Sequence, residues 1–384
     1  MSKQIQRVGV IGGGQLAWMM AGYAQKLGVE LIVQTPSPDD PAVATAADAI
    51  FAPVDDASAT SRLAERCDAI TFENEFIDLA ALQPLASRGV EFRPRLAALA
   101  PLLDKYEQRR YLREIGLPVP EFVAVERDNL QLPNPRSPFP TVLKARRHGY
   151  DGQGTFILRD RTELETALNR LGNTPTLLEA FVPFERELAV ITARDLSGEV
   201  RVFPVVETQQ VEQVCRWVYA PAEVSVAVWE QVEAIATTLL NALEVVGVFG
   251  IELFLTPDGQ VLVNEIAPRT HNSGHLTLDA CHTSQFEQQL RAVCQQPLGD
   301  SGLNCPGAVM VNLLGYEQAD SEYLPQRQQL AEIPQSHVYW YGKNQARPGR
   351  KLGHVTVLLE TGKRSEAIAL IEKIEAIWYP PAEL

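Results

Sequence analysis

The chain has little from which to build a disulfide frame, a membrane span or a polyanion-binding surface. Its 384 residues include five cysteines (Cys67, Cys215, Cys281, Cys294 and Cys305), widely spaced and without a C-x-x-C pair. That pattern excludes a disulfide scaffold and a cysteine zinc site, and fits reduced thiols. No apolar run approaches the length of a membrane helix, and residues 1–7 are polar, without the apolar centre of a signal peptide. A soluble, cytoplasmic protein is expected. With 34 Lys+Arg against 48 Asp+Glu the formal charge is -14. This argues against nucleic acid or a membrane as partner. Low-complexity segments and internal repeats are absent as well. An anionic substrate therefore has to be caught by a local cluster of cations.

What is present is a succession of patterned segments, long enough for two or three domains. Strand signals at 8–11, 29–33 and 69–72 alternate with helix signals at 15–27 and 79–87, which predicts an α/β parallel-sheet domain over residues 1–100. A helix at 105–115 ends in "GLPVP", and a second proline-rich break, "LPNPRSPFP", spans 132–140. Strands then dominate, at 141–145, 155–158, 176–179, 187–194 and 200–206. A helix at 229–243 leads into "VFGIELFLTPDGQVLVNEIAPR", a hairpin turning at Pro257-Asp258-Gly259. Strands at 308–314, 337–341 and 353–359 and a helix at 365–377 predict a small domain over 301–384. The class is α/β, becoming α+β in the later domains.

"VGVIGGGQLAWMM" (8–20) runs a strand through a glycine turn into a helix, and Gly12, Gly14 and Ala17 fit the spacing of a dinucleotide-binding crossover. Such a site also needs an acidic residue at the end of the next strand to hold the ribose. That strand ends "LIVQTP", with Gln34 and Thr35 where the acid belongs. Tight strand–helix packing is the competing explanation of the glycines, and a nicotinamide oxidoreductase is disfavoured.

Stronger chemistry lies downstream. In "TVLKARRHGYDGQGTFIL" (141–158) a strand delivers Lys144 beside a loop with Gly149, Gly152 and Gly154, an arrangement that closes over a polyphosphate, although an exposed hairpin would read the same way. The hairpin places Glu252 on one strand and Asn264 and Glu265 on the other, close to cross-strand register. Carboxylates converging within apolar strands need a cation, and magnesium carried by a nucleotide suits them. Next, "APRTHNSGH" supplies Arg269, His271, Asn272 and His275. Zinc is disfavoured by Ser273-Gly274 and the lack of further ligands, and a small-oxyanion pocket is expected. Finally, "YGKNQARPGRKLGH" (341–354) gathers Lys343, Arg347, Arg350 and Lys351 with no acid among them, either a solvated loop or a phosphate site.

Together "GGGQL", "GYDGQG", "EAFVPFERELAV", "NEIAPRTHNSGH" and "ARPGRKLGH" resemble the ATP-grasp superfamily and, within it, the N5-carboxyaminoimidazole ribonucleotide synthetases of purine biosynthesis. The resemblance implies an ATP-grasp fold: a Rossmann-like domain at 1–100, an ATP-grasp domain at 101–300 with a mobile lid at about 120–190, and a small domain at 301–384. It implies ATP, Mg2+ and bicarbonate, a 5-aminoimidazole ribonucleotide substrate, a carboxyphosphate intermediate and a homodimer. Lys105, Lys144, Gly149, Gly152 and Gly154 would then meet the phosphates, and Glu179, Ala180, Phe181 and Val182 the adenine. Glu187 would bind the ribose, Gln210 would contact the nucleotide, and Glu252 and Glu265 would hold magnesium beside Asn264. Arg269, His271 and Asn272 would surround bicarbonate as the catalytic set. Gln15, Glu73, Tyr150, Asp151, Gln153, Lys343 and Arg350 would face the ribonucleotide. The chain departs from the family pattern at Ala17-Trp18 (commonly Gly-Arg), Gln153 (Lys or Arg) and Gln210 (His). Rival readings are a formate-dependent glycinamide ribonucleotide transformylase, a biotin carboxylase and a non-catalytic ATP-binding module.

Overall fold

The computed structural model describes residues 5–125, 131–134, 139–147, 154–343 and 345–379. The first sheet contains β1 (Arg7–Ile11), β2 (Glu30–Thr35), β3 (Asp48–Phe51) and β4 (Ala69–Phe72), all parallel in the order β3-β2-β1-β4. Helices α1 (Gln15–Leu27), α2 (Ala57–Ala64) and α3 (Leu79–Ser87) pack around it, as strand–helix alternation requires. β3 and α2 are short, four and eight residues, and are not among the expected elements.

α1 starts at Gly14 with no side-chain cap of its own and no acid in its first turn. Its orphan amides are met from the far end of β4 instead. Glu73 accepts from the backbone N–H of Gly14 at 2.7 Å and of Leu16 at 3.1 Å. This explains the glycines: a Cβ on Gly12 or Gly14 would stand 2.5 Å from a Glu73 oxygen, and Gly12 also has φ +115°. Gln34 is fully buried, donating to the carbonyls of Pro53 and Asp56 and accepting from the Thr60 hydroxyl. The anion-binding end of this crossover is filled by the protein's own carboxylate, and the ribose position is locked in the core.

After α4 (Leu96–Leu99) and α5 (Lys105–Glu114), a second sheet forms from β5 (Phe122–Ala124), β6 (Thr141–Ala145), β7 (Thr155–Leu158) and β8 (Thr176–Ala180). It is antiparallel, in the order β5-β8-β6-β7, and α6 (Arg161–Leu171) seals one face with Leu164, Ala167 and Leu168.

The third sheet takes β9 (Arg186–Arg194), β10 (Val200–Val202), β11 (Val206–Val211) and β12 (Val214–Ala220), then, after α7 (Val226–Leu243), β13 (Gly247–Leu255) and β14 (Val261–Ala267). Beyond α8 (Thr277–Ala280) and α9 (Gln285–Val293) come β15 (Ala308–Leu314), α10 (Leu324–Ala331), β16 (Ser336–Trp340), β17 (Lys351–Leu358) and α11 (Arg364–Trp378). The order β14-β13-β9-β11-β12-β15-β17-β16, with β10 paired to β9, makes one continuous sheet. A core around Leu330, Ile374 and Trp378 is closed by Trp217 and Tyr219 of β12, while β15, β17 and β16 extend the sheet of the preceding segment. α9 wedges between layers: Phe286, Leu290 and Val293 join the core of α1, and Gln289 links the Val248 amide to the Thr71 hydroxyl.

The second and third sheets face each other across α5. Arg109 on α5 donates from Nε to Glu179 on β8 at 2.6 Å and from Nη2 to the Asn264 carbonyl on β14. Lys144 on β6 lies 2.7 Å from the other Glu179 oxygen. Burial opposes the charge on Glu179, but Arg109 and Lys144 outweigh it and hold its pKa down to about 2. Lys144 itself is pulled below its usual range by burial, against the attraction of Glu179.

Gly12→Ala should destabilise the fold by about 1–3 kcal/mol, because neither backbone nor carboxylate leaves room; an unchanged urea midpoint would refute this. Glu179→Gln leaves two buried cations short of a counter-charge and should cost about 3–5 kcal/mol at neutral pH. Because the folded pKa of Glu179 is depressed, its contribution is complete above the unfolded value of about 4.3 and is lost as pH falls toward about 2. The gap between wild type and variant in urea melts should therefore narrow below about pH 4.

Candidate active site

The hairpin delivers its acids as the sequence predicts, but with a displacement. Glu252 pairs with Glu265 across β13 and β14, and the register then slips, so that Leu253 faces Val263 and Asn264 is the extra residue of a β-bulge. In a regular strand Asn264 and Glu265 would point to opposite faces; the bulge turns both toward the cleft. Asn264 donates to Glu252 Oε2 at 3.3 Å and accepts from Lys144 at 3.2 Å. Lys105, the first residue of α5, meets Glu265 at 2.6 Å.

This crowding sets the electrostatics. Burial, then the charges of Glu265 and Glu187, push Glu252 up to about 7. For Glu265, burial works the same way but is outweighed by Lys105, and its pKa lies below the usual carboxylate value. Glu252 is left with the Asn264 amide and His271, whose Nε2 stands 3.5 Å from Oε1. Among the described residues no three His, Cys, Asp or Glu side chains gather as a metal site. Two carboxylates and an amide are still a fitting partial set for magnesium, which takes its remaining oxygens from water and a nucleotide's phosphates.

Along the same face, Glu187 on β9 stands opposite Phe254 and Thr208. Burial raises its pKa to about 7, eased by the backbone N–H of Gln210. Phe184 stacks on Phe254 with centroids 4.8 Å apart, beside the segment Glu179, Ala180, Phe181 and Val182. Of these four, Glu179 is committed to Arg109 and Lys144, so its side chain holds the two sheets together. Gly154, with φ +79°, lies against Ala145. Gly149, Tyr150, Asp151, Gly152 and Gln153 lie outside the described residues.

The loop after β14 is held from below. His271 bonds Ser273 through Nδ1 at 2.9 Å, and its backbone amide and carbonyl are clasped by the Gln285 side chain. Gly250 leaves room for it, since a Cβ there would come within 2.4 Å of the His271 Cβ. Asn272 exchanges two amide hydrogen bonds with Asn312 on β15, at 2.9 and 2.8 Å, so the structure gives its side chain an anchoring role within the loop. Arg269 reaches across to the first domain and pairs with Glu75 at 3.0 Å. His275 is fully buried, with its Nδ1 against Gln285.

On the side of the first sheet, Glu73 caps α1, whose first residue is Gln15. Trp18 packs edge-on against Tyr341, joining α1 to the basic segment. There Lys343 donates to the Lys351 carbonyl at 2.8 Å and sits over the Tyr341 ring. Arg350 and Arg347, with Gln318, Gln345 and Ala346, line a separate cavity of about 240 Å³ that Lys343 does not line. Sequence reasoning missed Glu75, Arg109, Gln285 and Asn312. Their only signal was being polar where the structure has little water, which requires the fold to recognise.

Comparison with known proteins agrees with this arrangement. Residues 5–101 match the ribonucleotide synthetase preATP-grasp domain, 110–286 the ATP-grasp domain and 308–368 the phosphoribosylaminoimidazole carboxylase C-terminal domain. The N5-carboxyaminoimidazole ribonucleotide synthase of Synechococcus elongatus is 56% identical over 382 residues, covering 98% of this chain and 96% of that protein. The Thermotoga maritima N5-carboxyaminoimidazole ribonucleotide synthetase structure superposes with a TM-score of 0.85 at 39% identity, covering 96% of this chain and 98% of the other. The Aspergillus clavatus N5-carboxyaminoimidazole synthase structure, in complex with ADP and 5-aminoimidazole ribonucleotide, gives 0.89 at 31% identity, covering 97% and 98%. With its acids and cations on an ATP-grasp frame, the chain belongs to the N5-carboxyaminoimidazole ribonucleotide synthase family of ATP-dependent ligases.

Proposed function

We propose that this chain carboxylates 5-aminoimidazole ribonucleotide at its exocyclic amine, using ATP and bicarbonate and releasing ADP and phosphate. The observation that carries the reading is the bulged hairpin, which sets Glu252, Glu265 and Asn264 against Lys105 and Lys144 and leads directly into the Arg269 loop. Bicarbonate is a poor electrophile, and a phosphate on its hydroxyl oxygen supplies the leaving group. Lys105 and Lys144 offset charge on the transferring phosphoryl group, and Arg269 with His271 orients the bicarbonate oxyanion. Magnesium held by Glu252 and Glu265 would add Lewis-acid stabilisation of the phosphates. Carboxyphosphate then releases carbon dioxide, which the amine attacks before water intervenes.

Lys343 and Arg350 are assigned to the substrate phosphate, and Glu73 and Gln15 to the wall of the ribonucleotide pocket. Glu187 and the 179–182 segment are assigned to the nucleoside of ATP. The Gln210 backbone N–H beside Glu187 supports a place for that residue at the nucleotide. The reading includes a cytoplasmic homodimer and domains at 1–100, 101–300 and 301–384. No helix among the described residues is long and apolar enough to cross a membrane.

Phosphate release from ATP should require both bicarbonate and aminoimidazole ribonucleotide, with the carbamate as product; stimulation by formate with glycinamide ribonucleotide, or by biotin, would instead favour a related ligase. Glu265→Ala should abolish this turnover, and near-normal activity would remove the metal assignment. Lys343→Ala should raise KM for the ribonucleotide about tenfold or more while leaving that for ATP unchanged; equal changes in both would reassign the phosphate.

A further inference from the structure

Arg269 is only half satisfied where it matters. Its Nη1 donates to the Thr270 carbonyl at 3.0 Å, and its Nη2 meets Glu75 Oε1 at 3.0 Å. Its Nε is buried and has no hydrogen-bond partner among the described residues. Nε and Nη2 form the side-on edge of a guanidinium, which a carboxylate normally fills with both oxygens. Glu75 fills one position and leaves the other. Glu75 follows the C-terminal end of β4, the place where parallel sheets present ligands, and it reaches over from the first domain. It is also near enough to Glu265 for the two charges to oppose each other. Without Glu75, the guanidinium would have Glu73, whose carboxylate already feels its charge, as its next source of negative charge, and turning there would withdraw it from the loop after β14.

Resting on the carboxylation reading above, we propose that Glu75 is a positioning residue, anchoring Arg269 by Nη2 so that the guanidinium is held at the loop for bicarbonate and the oxyanion formed from it. The hold is specific to one substrate, since the groups assigned to ATP have other anchors: Lys105 on Glu265, Lys144 on Glu179.

Steady-state kinetics of Glu75→Ala, Glu75→Gln and wild type, each checked for an unchanged melting temperature, test this. Glu75→Ala should raise KM for bicarbonate at least about tenfold with KM for ATP within about twofold, and Glu75→Gln, which keeps an oxygen acceptor, should show a smaller rise of about threefold or more. If the alanine variant does not fold, the glutamine variant decides. In an Arg269→Ala background, Glu75→Ala should add less than about twofold. An unchanged bicarbonate KM, a parallel rise for ATP, or full additivity with Arg269→Ala overturns the inference. If wild-type turnover itself ignores bicarbonate, the carboxylation reading fails and this inference with it; if bicarbonate dependence is intact but indifferent to Glu75, only the positioning role fails.

Discussion

Glu252 and Glu265 face each other across two strands, and most of the surrounding chemistry answers to that opposition. Directly paired side chains stand about 5 Å apart, and two like charges at that distance repel by about 3 kcal/mol at an effective dielectric of about 20. Burial adds to the cost. The fold resolves it unequally: Glu265 receives Lys105, while Glu252 receives an amide and an imidazole, and burial with the charge of Glu265 raises its pKa. A cation arriving with a nucleotide therefore has most to gain beside Glu252. The pair is a poor device for stability, and on the proposed reading a metal ion would relieve its repulsion as the nucleotide's phosphates bind.

The carboxylates at the end of β4 follow a similar division. Glu73 is spent on the N-terminus of α1, where Gly12 and Gly14 clear its path, while Glu75 is left for Arg269. In such a sheet the turn from a strand into a helix N-terminus is a ready anion site. Filling that site with a residue of the chain closes it to a dinucleotide and converts a binding feature into a rigid wall. The same turn thus supports a different chemistry because of one residue sixty positions away in sequence.

Much of this was legible before any coordinates. Apolar runs broken by Pro257-Asp258-Gly259 gave the hairpin and its facing acids, and the missing acid at Gln34 rightly spoke against nicotinamide. The strands of the C-terminal segment were found too. Their joining of the larger sheet was not, since pairing between distant strands leaves no local pattern. The bulge at Asn264 was equally invisible, because one inserted residue changes which face a side chain takes without changing composition. α9 carries Gln285, Glu287, Gln288 and Gln289, all buried, in a stretch that composition assigns to the surface. Its glutamines are there to satisfy backbone groups of neighbouring layers, a role that exists only once those layers meet.

The position of Lys105 shows how a structural need of the fold also places a charged side chain. β14 is the edge of the long sheet, so its outer N–H and C=O groups lack a neighbouring strand. α5 and the chain after it stand in for one: Val263 donates to the Pro118 carbonyl, Gln108 both donates to and accepts from Ile266, and Arg109 takes the Asn264 carbonyl. Lys105, Gln108 and Arg109 are spaced i, i+3 and i+4, and therefore share one helix face. Docking Gln108 and Arg109 on the edge of β14 leaves Lys105 one turn earlier, against Glu265. The cation nearest the acid pair is thus placed by the same hydrogen bonds that close the open edge, and a shift of α5 that spoiled the site would also expose the sheet.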